Sequence, residues 1–342
     1  MALLPTYAPT LLDLSRRADS NGKVTQIIEQ IEPLQEILQD IPFIEANEGS
    51  FHKTTVRTGL PQGTWRLLNY GVQPEKSTTK QVTDTVGMLE TYAQVDKALL
   101  ELNGNSAAWR MSEDKAFLTG MTRNFVSSVF YGDTTVNPER FTGFAPRFNT
   151  PSTLDTQSGY NLIDGGAADG QTDTLSIYLV GWGADTVHGI YGRGLGAGWT
   201  ATDLPEDTLN DAAGGLFQGY RTHYKWNVGL TVRDWRYVAR IVNIDSSALT
   251  KDAATGAKLI QLMVDAAERV SDLNGANFRF YVPRKIRAFL RHQILAKTTN
   301  QLNWETVAGR KVMTFDDIPV RRTDALVDET AIPDAAGSFA DL

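Results

Sequence analysis

The sequence predicts a mixed α/β subunit of the α+β kind, and three stretches carry that prediction. From Tyr224 to Val232 the alternation is strict, with Tyr224, Trp226, Val228, Leu230 and Val232 on one side and Lys225, Asn227, Gly229 and Thr231 on the other, the pattern of a half-buried strand. Between Asn105 and Tyr131, Trp109, Ala116, Phe117, Met121, Phe125 and Val129 fall on or near one stripe. A helix of about 25 residues there would run roughly 38 Å. The last third alternates helical and strand patterns. A chain of 342 residues, 42% hydrophobic and 21% charged, has ample material for one large domain or two to three subdomains.

Composition narrows the function. With no cysteine, the chain has no disulfide, thiolate metal site or cysteine nucleophile, which fits synthesis in a reducing cytoplasm. The opening MALLPTYAPTLLDLSRRADS lacks a basic leader followed by an apolar core, and no window approaches the roughly 18 apolar residues of a membrane span. A soluble protein is expected. The net charge of −7 disfavours a dedicated nucleic-acid binder, because phosphate contacts need a positive surface.

Charge is laid out in blocks. From Val24 to Phe51 come Glu29, Glu32, Glu36, Asp40, Glu45 and Glu48 with no Lys or Arg; from Leu273 to Trp304 come Arg279, Arg284, Lys285, Arg287, Arg291 and Lys297 with no acid. One reading lays the acidic arm of one subunit on the basic face of its neighbour. The other has two unrelated solvated faces. Val24, Ile27, Ile28, Ile31, Leu34, Ile37, Leu38 and Ile41 recur at helical spacing, and Pro33 should break or kink that helix, giving a jointed amphipathic arm.

Ser50 to Leu89 is polar and threonine-rich, with β-formers in FHKTTVRTG, TWRLLNYG and KQVTDTVGML. The first two suit a hairpin turned at Leu60 to Gln62, between Gly59 and Gly63. A long two-stranded excursion is marginal alone and needs something to lie on, unless it is an ordinary sheet edge. Asn105 or Ser106 can cap the long helix and Gly132 can end it. Thr150 to Thr174 reads as a loop. Leu175 to Val180 and Thr186 to Tyr191 read as a strand pair turned at Gly181 to Asp185, followed by GRGLGAG and an acidic loop. Tyr220 to Val232 would be one strand of roughly 40 Å, folding back near Arg233 and Asp234. Leu259, Leu262, Met263, Ala266, Ala267, Val270 and Leu273 mark a helix ended by Asn274 and Gly275. Phe278 to Val282 is a strand, Pro283 opens a helix carrying Ile286, Phe289, Leu290 and Ile294, and Lys311 to Val320 is a strand. No repeat or heptad pattern is present.

Nothing in the sequence points to a reaction. GRGLGAG does not match G-x-G-x-x-G and precedes no apolar-faced helix, so its glycines serve a loop. No Walker motif or G-x-S-x-G elbow occurs. His52, His188, His223 and His292 have no ligand spacing, so neither a metal nor another cofactor is expected. The adjacent carboxylates Asp316/Asp317 and Glu206/Asp207 would point to opposite faces of a strand and read as solvated turn residues. Of seven tryptophans, three or four are expected in the core; Trp65, in the polar hairpin, is the one expected at an interface.

The tract LSIYLVGWGADTVHGIYGRG with FQGYRTHYKWNVGLTVRDWRYVARIVNID, and the segment YGDTTVNPERFTGFAPRFN from Tyr131 to Asn149, resemble the GP7-like major capsid family of tailed bacteriophages, whose fold is the Hong Kong 97-type capsid fold. The resemblance implies an N-terminal arm (1–46), an E-loop hairpin (47–90) and a P domain (91–150) with a spine helix (105–131), to which long strands in 220–245 return. It further implies an A domain (151–219 and 246–325) and a C-terminal tail (326–342). It implies a non-enzymatic protein, made in the host cytoplasm and resident in the virion, whose copies form hexamers and pentamers that tile an icosahedral head around the viral DNA. DNA contact would be non-specific proximity, with no membrane partner; scaffolding, portal and decoration proteins are the other expected partners. Candidate inter-subunit contacts are Trp65, Arg57, Arg66, Glu32, Glu36, Arg284, Arg287 and Arg291. Lys53, Lys76 and Lys80 are available for a covalent cross-link, but no motif singles one out. The rival readings are a phage-encoded hydrolase working through Asp or Glu with tryptophan platforms, and a phage tail or connector protein.

Overall fold

The computed structural model describes residues 36–102, 106–154, 156–211, 214–249, 258–295, 302–307 and 310–333. The expected arm helix upstream of Glu36, with its Pro33 break and Glu32, lies outside the described residues, as does Asn105.

The centre of the fold is a sheet buried on both faces. Strand β5 (Thr174–Trp182) has every residue buried. Tyr178, Val180 and Trp182 enter one core, while Leu175, Ile177 and Leu179 enter a second on the opposite face. This is why LSIYLVGW is a continuous apolar run and not an alternating one. On one side of β5 lies β9 (Val238–Asp245), antiparallel, which also pairs in parallel with β4 (Leu162–Asp164). On its other side lies β10 (Asn277–Val282), then in order β13 (Ile318–Arg322), β12 (Arg310–Phe315) and β11 (Leu302–Val307). The second core is closed by helices α5 (Leu259–Glu268) and α6 (Arg284–Leu295), through Met263, Ala266, Ile286 and Leu290.

The first core is closed by α3 (Ser106–Tyr131), a helix of 26 residues and about 39 Å. Its Phe125, Val126, Val129 and Phe130 pack on Tyr178, Trp182, Trp226 and Val228. Trp226 and Val228 belong to β8 (Leu216–Val232), in which all five members of the predicted apolar row are buried. Gly132 ends α3, and the chain turns straight back: Gly143 N donates to Gly132 O at 2.8 Å. A Cβ at Gly132 would lie 2.3 Å from Phe141 O, and one at Gly143 would lie 2.6 Å from Ser128 O, so only glycine fits either position. The return places α4 (Phe144–Arg147), with Phe144 fully buried, against α3.

Several expectations are corrected. The excursion is a hairpin, but TWRLLNYG is not its second strand. Strand β2 (Phe51–Gly59) pairs instead with the first part of β3 (Thr78–Asp96), and residues 60–77 form a long loop. The 19-residue β3 then continues into the body, where Val86–Asp96 pairs with β8. The strand at 175–180 and β6 (Val187–Tyr191) are not a hairpin: they share a single parallel bridge, and β6 pairs with β8 and with β1 (Phe43–Glu45). The acidic loop after GRGLGAG is a strand, β7 (Trp199–Asn210), antiparallel to β8. β8 does not fold back on itself past Arg233; the chain crosses to β5 through a short 3-10 turn at Trp235–Tyr237. The segment 150–174 holds a 3-10 turn (Ser158–Asn161) and β4. α5 stops at Glu268, short of Asn274. Lys311–Val320 is two strands, because Asp316 and Asp317 take φ of 48° and 61°, the mirror-image conformation of a two-residue hairpin turn.

Candidate assembly surface

The hairpin joins a fastened root to a bare tip. At the root, Asp84 is buried and accepts from Arg147 Nη2 at 2.7 Å, and the same guanidinium reaches Thr142 O at 3.1 Å, tying β3 to the α4 return. Asn47 clamps Lys53, accepting from its backbone N at 2.9 Å and donating to its carbonyl at 2.7 Å. His52 meets His188 of β6 edge to face, ring centroids 5.7 Å apart. Burial, then the charge of His52 and of Arg233, pushes His188 down to about 4. Burial also lowers His52, aided by Arg233. Beyond Gly59 the support ends. Trp65 is 102% exposed, and Leu60, Leu67, Leu68, Tyr70 and Val72 are exposed with it. The loop's ties are light: Gly63 N donates to Glu75 at 3.0 Å, a turn closes Leu67 to Tyr70, and Asn69 sits at φ 68°. Arg57 and Arg66 are exposed on the same excursion. Each large apolar side chain left in water forgoes about 1.5–3 kcal/mol of burial, so such a cluster on a well-folded chain marks a contact surface.

Away from the tip, several buried charged groups are paired within the chain. The ends of α3 are both held: Arg110 pairs with Asp203 and Tyr224 bonds Asp114 near its start, and Tyr131 at its end donates to Glu329 Oε1 at 2.7 Å. Glu329 is a hub on the C-terminal segment. Its Oε2 accepts from Ser176 at 2.6 Å and from Arg240 at 2.7 Å, and its backbone bridges Thr174. Arg240 is almost wholly buried and also donates to Phe148 O at 2.7 Å. Burial and the adjacent Glu329 carboxylate drive the Tyr131 phenol far up. No sequence signal marked Glu329, since one acid in a polar tail has no pattern.

Of the two charge blocks, read from sequence either as complementary across subunits or as unrelated solvated faces, one pair meets inside the chain, Asp40 with Arg279, and Arg321 joins it from outside the basic block. Asp40, the last residue of the short helix α1 (Ile37–Asp40), is 3.3 Å from Arg321 and 3.5 Å from Arg279, and accepts from Tyr281 OH at 3.0 Å. Glu36 lies 3.7 Å from Arg321. Arg284 pairs with Asp324 at 2.8 Å, Arg287 is half-buried, and Arg291 is exposed. Among the tryptophans, Trp182 and Trp226 are core and Trp235 packs against it, while Trp199 is half-exposed on β7. The adjacent acids do not form pairs for catalysis: Asp316 and Asp317 occupy an exposed turn, Glu206 pairs with Lys97 at 2.9 Å and Asp207 with Arg221 at 3.7 Å. Among the described residues no three His, Asp or Glu side chains are placed to hold a metal ion.

The chain thus has a sandwiched body, a fastened root and a bare apolar tip. Comparison with known proteins identifies its family. The family model for the major capsid protein GP7 matches residues 19–332. The solved structure of bacteriophage Epsilon15 is similar at 38% identity, covering 97% of this chain and 99% of that one, with a TM-score of 0.79. Remoter likenesses are the bacteriophage JBD30 capsid (8% identity, 87% and 93% covered, TM-score 0.49) and the capsid of a native GTA particle (10%, 64% and 92%, 0.45). No curated protein sequence matches. The chain belongs to the GP7 major capsid protein family: it is a major capsid protein of a tailed bacteriophage, a structural component of the icosahedral virion shell, with the mixed α/β Hong Kong 97-type fold. The tail or connector reading is thereby set aside.

Proposed function

We propose that copies of this chain associate as hexamers and pentamers, with each hairpin loop lying across a neighbouring subunit, so that many modest interfaces close a shell around the viral DNA. The observation that carries this reading is the loop at residues 60–77, whose Trp65, Leu67, Leu68 and Tyr70 are exposed, without cover from the described residues. Trp65 would be the anchor, and Arg57 and Arg66 would steer it, since charged rims chiefly set encounter rate and salt dependence while buried aromatics carry affinity. In this reading the chain divides into arm 1–46, E-loop 47–90, P domain 91–150 with α3 as spine and strands in 220–245 returning to it, A domain 151–219 and 246–325, and tail 326–342. The chain acts by association, without a catalytic step. It is made in the host cytoplasm, meets scaffolding, portal and decoration proteins during assembly, and touches DNA only by proximity. Electron microscopy and sedimentation of the Trp65→Ala protein test the central point: particles should fail to form, or need far more protein, while the subunit stays folded. Normal particles at the native protein concentration would refute it.

A further inference from the structure

A groove runs along the seam between β3 and α3. One wall is the far edge of β3 from Gly87 to Asp96: β8 pairs with one side of this stretch and β2 stops opposite Thr85, so among the described residues no strand takes the other side. The stretch carries neither proline nor lysine, the residues that usually blunt an open edge. The other wall is α3, with Phe117, Gly120 and Asn124. Gly120 leaves a notch there, since a Cβ on it would meet nothing within 4 Å. The middle of the groove holds about 530 Å³. Through Leu89 and Asn124 it continues into a more enclosed pocket of about 180 Å³, floored by Phe125, Phe141 and Val228, with Glu139 and Arg140 exposed at its mouth. Drug-sized ligands take roughly 300–1,000 Å³, so this pocket suits a single side chain.

We propose that this groove is the seat for the hairpin loop of a second copy of the chain, with Trp65 in the end pocket and the flanking backbone added along the open edge of β3. The proposal rests on the reading that the loop covers a neighbouring subunit, and it names the surface covered. The loop of the same chain is held away: Thr78 and Gly87 are nine residues apart on one extended strand, about 30 Å, which is the width of a small domain. On a neighbour placed side by side, the same groove lies within that reach. The chemistries match. The loop offers an aromatic anchor among the bare Leu67, Leu68 and Tyr70, and the pocket offers an apolar, aromatic floor. The mouth carries one charge of each sign, Glu139 and Arg140, and so does the loop, in Arg66 and Glu75. Main-chain bonds to an open edge supply affinity, and a side-chain pocket fixes the register. Tip and groove are different surfaces of one chain, so their contact is heterologous, and heterologous contacts generate rings when the rotation closes. The groove is thus the receiving half of a ring-forming interface.

The chain has no cysteine, so an introduced pair reports alone. In particles carrying Arg66→Cys and Glu139→Cys, mild oxidation should give a ladder of linked chains on a non-reducing gel. Arg66→Cys with Asp169→Cys, an exposed position in the loop after β4, should give none. No ladder, or a control ladder as strong as the first, would overturn the proposal; so would a linked peptide pair inside the monomer band, which would mean that the loop folds onto its own groove. Should the first pair not assemble, Gly120→Leu decides. It fills the notch and replaces a helical glycine with a better helix former, so the subunit should unfold at no lower urea concentration while the protein concentration needed for particles rises about tenfold. Particles from Gly120→Leu at the native concentration would overturn the proposal. If Trp65→Ala also assembles normally, the covering role of the loop has failed; if Trp65→Ala alone is impaired, that role stands and the groove is the wrong seat.

Discussion

The sheet around β5 and the loop at the hairpin tip stand at opposite ends of one scale. In β5 all nine residues are buried and both faces are covered by helices of the same chain. In the loop, Trp65 is wholly exposed and its apolar neighbours are bare. The difference teaches where each part finds its free energy: the body from contacts within the subunit, the tip, under the proposed assembly, from contacts with other subunits. The root lies between them, rigid because Asp84, Arg147 and Asn47 fasten it to the body.

Perturbations should separate the two ends. The largest losses belong to the body. Phe130→Ala empties a site packed against Phe144, Tyr178 and Tyr281, and should cost about 3–5 kcal/mol in urea unfolding of the subunit. Glu329→Ala strands the buried Arg240 guanidinium and frees the end of α3, at a similar or slightly smaller cost of about 3–5 kcal/mol. Stability within 1 kcal/mol of native for either variant would mean that the body is not the self-sufficient part.

The root should respond to acid. His188 titrates near 4 in the folded chain, below its unfolded value of 6.5, so the unfolded state holds more protons between those values. The stability that neutral His188 confers is present above pH 6.5 and falls away as pH drops toward 4, by at most about 3 kcal/mol. His188→Gln should flatten the slope of unfolding free energy against pH in that window; an unchanged slope would show that other groups carry it. The smallest effect on the subunit itself belongs to the tip. Trp65→Ala should shift subunit stability by less than about 0.5 kcal/mol, because the side chain touches little in its own chain, even as it impairs assembly.

What could be read from the sequence follows the same division. The apolar row of β8, the Pro283 entry into α6 and the stripe of α3 were legible because one chain buries them in a regular way, and burial writes periodicity. β7 was not. WTATDLPEDTLN is acidic, mostly exposed and carries Pro205, and it is a strand because β8 templates it, with the ladder shifting between Leu204 and Asp207 to pass the proline. The exposure of Trp65 was legible as a large aromatic in a polar hairpin, whereas the pairing of Glu329 was not.

By itself the sequence determined the fold class, the positions of most strands and helices, the excursion and its bare tryptophan, and the capsid family. The elements are written in local periodicity and composition, and the family in the resemblance of two tracts, 131–149 and 175–245, to known capsid proteins. Only the tertiary structure decided which strands are neighbours, where the hairpin closes, and that Asp40 meets Arg279 and Arg321 within one chain. Pairing and charge contacts join residues far apart in sequence, and their energies depend on distances that no stretch of chain encodes alone.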